Sequence, residues 1–266
     1  MQVQSNRVNW GRQRCDASAS SEVRCGRLLA QLHIRDGEIG LSSKTLEEEE
    51  VAELAESGAP VSRPWTQWAV CTGGDSIDLH PSLPDLSVLA EVEKPFQVAA
   101  GDSCRVYIRI PVTVVFQVND QLDDILAELP SESLSQEWFG GRDDGELCYR
   151  LPGALFPEGP LAIDESSIQA PVTIRNESGE TLEVTQICLR VAALSIYGLN
   201  DVFWTNETLV RYQGGSARSR VSVKYGAPAE APAAKLIASP REKNLTVVGR
   251  TFRSLRRWTS ELLENE

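Results

Sequence analysis

The sequence predicts a mainly β protein: two β-sandwich-like units, a few short helices and an amphipathic helix at the C-terminus. Three observations carry that expectation. The run Cys104–Val118 alternates at period two, with Val106, Ile108, Ile110, Val112, Val114, Phe116 and Val118 on one side. Many other short runs rich in Val, Ile, Tyr and Phe are separated by Gly, Asn, Asp and Pro turn signals. Only at the end does the period change, where Val248, Phe252, Leu255, Trp258 and Leu262 recur at helical spacing over Leu245–Leu263.

Residues 1–27 are polar and read as an irregular arm or an early strand. Leu28–Ile34 and Ile39–Leu41 read as a hairpin around the turn signal Arg35-Asp36-Gly37-Glu38. Leu46, Val51, Leu54 and Ala55 place a helix over Glu47–Glu56, its acidic start favoured by the macrodipole and its end set by Gly58 and Pro60. Arg63–Val70, with Trp65 and Trp68, fits either a helix start or an edge strand. Ile77–Leu79 is a short strand, and His80-Pro81-Ser82-Leu83-Pro84-Asp85 is a stiff loop, since each proline restricts the residue before it.

Ser87–Glu91 and Phe96–Val98 are short strands, and Gly101-Asp102 is a turn. Pro111 cannot donate to a ladder, so Cys104–Val118 is either an edge strand or a bent strand passing between two sheets. Asp123–Leu129 and Ser133–Phe139 suit helical turns, and Glu146–Leu151 suits a strand. In the second β block, Gln169–Ile174 leads to a hairpin-like turn at Asn176–Glu180. Leu182–Tyr197 follows as a long strand or a bent pair. Thr208–Tyr212, Arg218–Tyr225 and Lys235–Ala238 complete it, with Gly226–Ala234 a linker or an ordered loop. The expected units are residues 1–160, 161–242 and the terminal helix 243–266.

The chain has 266 residues, enough to bury a core without staples, and 24% of them are charged. Its formal net charge of -12 opposes general binding to nucleic acid or anionic lipid. No stretch approaches the roughly 18 apolar residues of a membrane span. Residues 1–27 show no apolar leader, so the expected location is cytoplasmic.

Catalytic chemistry is not legible, and no catalytic, cofactor or metal residue is expected. A triad needs a base, and the two histidines, His33 and His80, stand in no motif. Asp75, Asp78, His80 and Asp85 offer oxygen and imidazole ligands, but strand alternation separates Asp75 from Asp78. Cys15, Cys25, Cys71, Cys104, Cys148 and Cys188 are scattered without a close pair, so they read as buried small hydrophobes rather than metal or redox residues. Gly73-Gly74, Gly140-Gly141 and Gly214-Gly215 lack phosphate-loop spacing.

The terminal helix carries the clearest local charge asymmetry. Arg250, Phe252, Arg253, Leu255, Arg257, Trp258 and Leu262 form its expected docking face. That face could pack on the chain's own sheet, dock on another protein or a membrane surface, or touch nucleic acid; Glu261, Glu264 and Glu266 weaken the membrane and nucleic-acid readings. Tryptophans 65, 68, 138, 204 and 258 are candidate interface anchors, although each alone reads first as core.

Trp65–Trp68, His80–Asp85, Arg105–Val112, Asn176-Glu177-Ser178, Ile196-Tyr197, Phe203-Trp204-Thr205 and Ser239-Pro240-Arg241 occur in an order that resembles a prokaryotic family catalogued as domain of unknown function 432. The resemblance spans roughly residues 60–260. It implies a β-rich soluble protein and no functional residues. The expected role is a non-catalytic binding or scaffold protein, with a protein partner or self-association, as an accessory subunit or homo-oligomer. The alternative is a carbohydrate-binding or carboxylate-based glycan-acting β-sandwich, which needs two acids within about 5–10 Å flanked by tryptophans.

Overall fold

A computed structural model describes residues 8–14, 21–35, 38–51, 65–69, 76–118, 124–142, 145–157, 159, 165–214, 219–242, 246–249 and 251. The described strands are, in order, β1 (Gly11–Arg14), β2 (Ser21–Cys25), β3 (Leu28–Arg35), β4 (Glu38–Thr45), β5 (Trp65–Ala69), β6 (Ser76–Ser82) and β7 (Ser87–Val98). Next come β8 (Ser103–Pro111), β9 (Thr113–Gln117), β10 (Ile125–Pro130), β11 (Ser135–Phe139), β12 (Glu146–Leu151), β13 (Leu155–Phe156) and β14 (Ser167–Asn176). The last are β15 (Leu182–Leu189), β16 (Ile196–Leu199), β17 (Val202–Thr205), β18 (Thr208–Tyr212), β19 (Ser219–Val223), β20 (Lys235–Ala238) and β21 (Thr246–Gly249). The protein is mainly β, as its alternation predicts.

Two compact units interleave along the chain. One comprises Met1–Leu83, Pro111–Ser133 and Asp164–Ser167; the other comprises Pro84–Ile110, Leu134–Ile163 and Ile168–Glu266. The first unit holds two antiparallel sheets, β1-β6-β9-β10 and the meander β2-β3-β4-β5. Leu28, Leu32, Ile39, Ile77, Leu79 and Phe116 are buried there, each stabilising the fold by about 1.5–3 kcal/mol. The second unit holds the sheet β11-β12-β7-β15 and a larger sheet ordered β20-β16-β17-β14-β18-β19-β21, to which β8 and β13 also pair.

Pro111 explains one crossing. β8 belongs to the large sheet and β9 to a sheet of the first unit. The ladder stops where the missing N–H falls, and the strand resumes in new company two residues later. Of the two readings of Cys104–Val118, the bent strand between sheets is therefore the one observed. Leu182–Tyr197 behaves likewise: β15 ends at Leu189, a 3-10 turn spans Val191–Ala193, and β16 starts in the other sheet.

Several local expectations are corrected. Asp123–Leu129 and Ser133–Phe139 suggested helical turns, but β10 and β11 form there because each has an antiparallel neighbour. Tertiary pairing overrides weak propensity. His80–Ser82 continues β6 against Val115–Thr113 of β9. Ser87–Glu91 and Phe96–Val98 merge into β7, with a bulge opposite Val184 and Gln186 that takes up Pro95. Thr246–Gly249 is not the first turn of a helix: it pairs antiparallel with β19 as β21. Of the expected helix at Glu47–Glu56, a helical turn over 48–51 is described, and the rest lies outside the described residues.

The turn at Asn176–Glu180 closes no hairpin, since β14 and β15 lie in different sheets. Asn176 is fully buried and organises the change of sheet. Its Nδ2 donates to the carbonyls of Val98, Ala99 and Glu180, and its Oδ1 accepts from the backbone N–H and the hydroxyl of Ser178. Gly226–Ala234 is an ordered loop, because Ala231 packs with Tyr107 and Trp204 in the core.

Candidate functional site

Glu146 and Cys148 stand two apart on β12, so their side chains share one face of the sheet. Cys188 and Arg190 stand two apart at the end of β15 and reach the same face. β7 runs between these strands, with Ser87 opposite Cys148 and Leu89 opposite Cys188. Leu89, Phe139, Cys148 and Cys188 form a buried apolar cluster. The two sulfurs are 3.6 Å apart. A ligand oxygen of Glu146 and both sulfurs lie within 4.8 Å of one another.

The two thiols lie in hydrogen-bonding contact and are not joined in a disulfide. The hydrogen bond from Cys188 outweighs burial and holds the Cys148 thiol below its ordinary range. Donating that bond, together with burial, pushes Cys188 up.

The carboxylate is held from two sides. The Ser87 hydroxyl donates to Glu146 Oε2 at 2.8 Å, and Arg190 Nη2 pairs with Oε1. The same Oε1 lies 3.8 Å from Cys188 Sγ. Two soft ligands and one hard ligand therefore converge, with a fixed cation beside them.

A second charged cluster lies on the large sheet. Arg105 reaches Glu230 through Nε at 2.6 Å and Nη2 at 2.9 Å, and Glu207 through Nη1 at 3.1 Å. Tyr107 donates to Glu230 at 2.6 Å, while Thr173 and Lys224 donate to Glu207 at 2.8 and 2.9 Å. Burial pushes both carboxyls up, but these donors outweigh it and hold both below the usual range.

The residues singled out from sequence do not assemble. Asp78 pairs with Arg12 at 3.1 Å, and Asp85 accepts from Tyr149 at 3.0 Å; Asp75 lies outside the described residues. His33 lies over Gly40, where a Cβ would come within 2.1 Å of its ring, and its ring meets Trp65 at 4.7 Å. Trp204 is core, while Trp138 is half exposed and donates to the Gly141 carbonyl. Arg250, Phe252, Arg253, Leu255, Arg257, Trp258 and Leu262 lie outside the described residues.

The thiol cluster was hidden by separation. Cys148 and Cys188 are 40 residues apart, and no close cysteine pair advertises them. A signal was present: Glu146-Leu147-Cys148 and Cys188-Leu189-Arg190 each put a cysteine and a charge on one strand face.

Residues 9–256 match the family described as "Protein of unknown function (DUF432)". No curated protein and no solved structure matches the chain.

Proposed function

The chain belongs to the DUF432 family, and on that premise we propose that it is a non-catalytic binding protein whose ligand is a thiophilic divalent metal ion. The observation that supports this reading is the convergence of Cys148, Cys188 and Glu146 within 4.8 Å. Around a tetrahedral zinc ion with Zn–S bonds of about 2.3 Å, two sulfurs sit about 3.7 Å apart. The 3.6 Å separation fits that spacing without rearrangement. Two thiolates and a carboxylate supply three negative charges, which a divalent ion and Arg190 balance. Mixed sulfur and oxygen ligation suits zinc better than a monovalent soft ion. Cys104, Cys148 and Cys188 are free thiols, which supports a reducing compartment such as the cytoplasm.

The test is titration of the reduced full-length chain with Cd2+, followed by the sulfur-to-metal charge-transfer absorbance. The expected result is one equivalent bound, with the band lost in both Cys148→Ala and Cys188→Ala while circular dichroism stays unchanged. A wild-type chain that shows no such band, or variants that keep it, would overturn the reading.

A further inference from the structure

We infer that Arg190 is a built-in competitor for this site, so that a bound ion is exchangeable cargo or signal and not a structural staple. The inference rests on the metal-binding reading above and adds how the site is regulated. Arg190 Nη2 holds Glu146 Oε1, the same oxygen that lies 3.8 Å from Cys188 Sγ. That oxygen cannot serve the guanidinium and an ion equally well. An incoming ion must take it over, and the guanidinium must yield it.

The ion-free state is already compensated. Glu146 has its cation, Ser87 fixes the other carboxylate oxygen, and the two sulfurs lie in hydrogen-bonding contact. The cluster also sits on a sheet whose core includes Leu89 and Phe139. Small metallo-domains unfold without their ion because nothing else organises the ligands. Here strand pairing and the Arg190–Glu146 pair organise them beforehand.

Arg190 also repels a cation and favours the thiolates, two effects that oppose each other. Competition for Oε1 acts only through Glu146, which makes it separable by a double-mutant cycle. The probe is Cd2+, displaced by Zn2+, in the wild-type chain, Arg190→Gln, Glu146→Gln and the double variant. Arg190→Gln is expected to tighten binding about fivefold, the size of one partly exposed ion pair. Glu146→Gln is expected to weaken binding about 10–100-fold, as loss of a ligand or its close support does. In the Glu146→Gln background, Arg190→Gln is expected to change affinity by less than about twofold.

Thiolate charge-transfer intensity at saturation is expected to be equal in all four chains, because both sulfurs ligate throughout. Chelation of the ion is expected to leave circular dichroism unchanged. Arg190→Gln that weakens binding, or that tightens it equally with and without Glu146, overturns the inference while leaving metal binding standing. Unfolding on chelation overturns it too. A wild-type chain with no charge-transfer band overturns the metal-binding reading itself, and this inference with it.

Discussion

The second unit contains two clusters of arginine and glutamate, and they differ in what is left over. Around Arg105, every charge has an opposite: the guanidinium is bidentate on Glu230 and also meets Glu207, and Tyr107, Thr173 and Lys224 donate to the same two carboxylates. Around Arg190, one carboxylate is paired, and two thiols lie against each other and against Glu146 at metal-ligand spacing. A completed network ties segments together, here the 226–234 loop to the sheet through Glu230. An incomplete one, with soft atoms at metal-ligand spacing, can accept something. Similar residue types thus yield a fastener in one place and a receptor in the other.

That contrast predicts different consequences for similar substitutions. The largest effect is expected at the fastener. Arg105→Ala leaves Glu207 and Glu230 without their main cation in a partly buried setting, and should cost about 3–5 kcal/mol in urea unfolding. Cd2+ affinity should change little in the same variant. If Arg105→Ala instead leaves stability within about 1 kcal/mol, the two clusters are not different in kind.

A smaller effect is expected at the receptor. Ser87→Ala removes the hydroxyl that orients Glu146 Oε2, and should weaken Cd2+ binding about tenfold. Its stability cost should stay near 1 kcal/mol, the net worth of one hydrogen bond. Equal affinity in wild type and variant would show that the carboxylate needs no such support.

The smallest effect is expected in the acid limb of stability. Glu207 and Glu230 have folded pKa values held below the usual range. Their stabilisation is fully present above the unfolded carboxyl value of about 4.3 and is lost as pH falls through the lower folded values. Unfolding measured from neutral pH downward should therefore show stability falling below about pH 4, with a shallower fall in Arg105→Ala. An identical slope in both chains would mean that Arg105 does not hold these groups down.

Much of the fold was legible in particular residues. The alternation of Val106 to Val118 announced long buried strands, and Pro111 announced their break. Leu28–Leu41 announced a hairpin, which β3 and β4 form. What misled was short or locally ambiguous sequence. Ser133–Phe139 carries no strong preference, and only the ladder of β12 beside it makes it a strand. Thr246–Gly249 belongs to a run with helical period, yet β19 supplies an edge to pair with. The candidate site was legible only in halves, as two three-residue patterns without any hint that they meet.

The sequence by itself determined the β character of the chain, because side-chain period and turn chemistry are local properties. It also marked the break at Pro111, although β6 and β7 run on through Pro81 and Pro95. Tertiary structure alone decided that Cys148 and Cys188 touch, since β7 must first lie between β12 and β15 and set the register that brings their sulfurs to 3.6 Å. It also decided that Arg105 ties two carboxylates together while Arg190 pairs one carboxylate beside two thiols. Pairing across 40 residues is a property of the sheet order, and no local pattern in the chain encodes it.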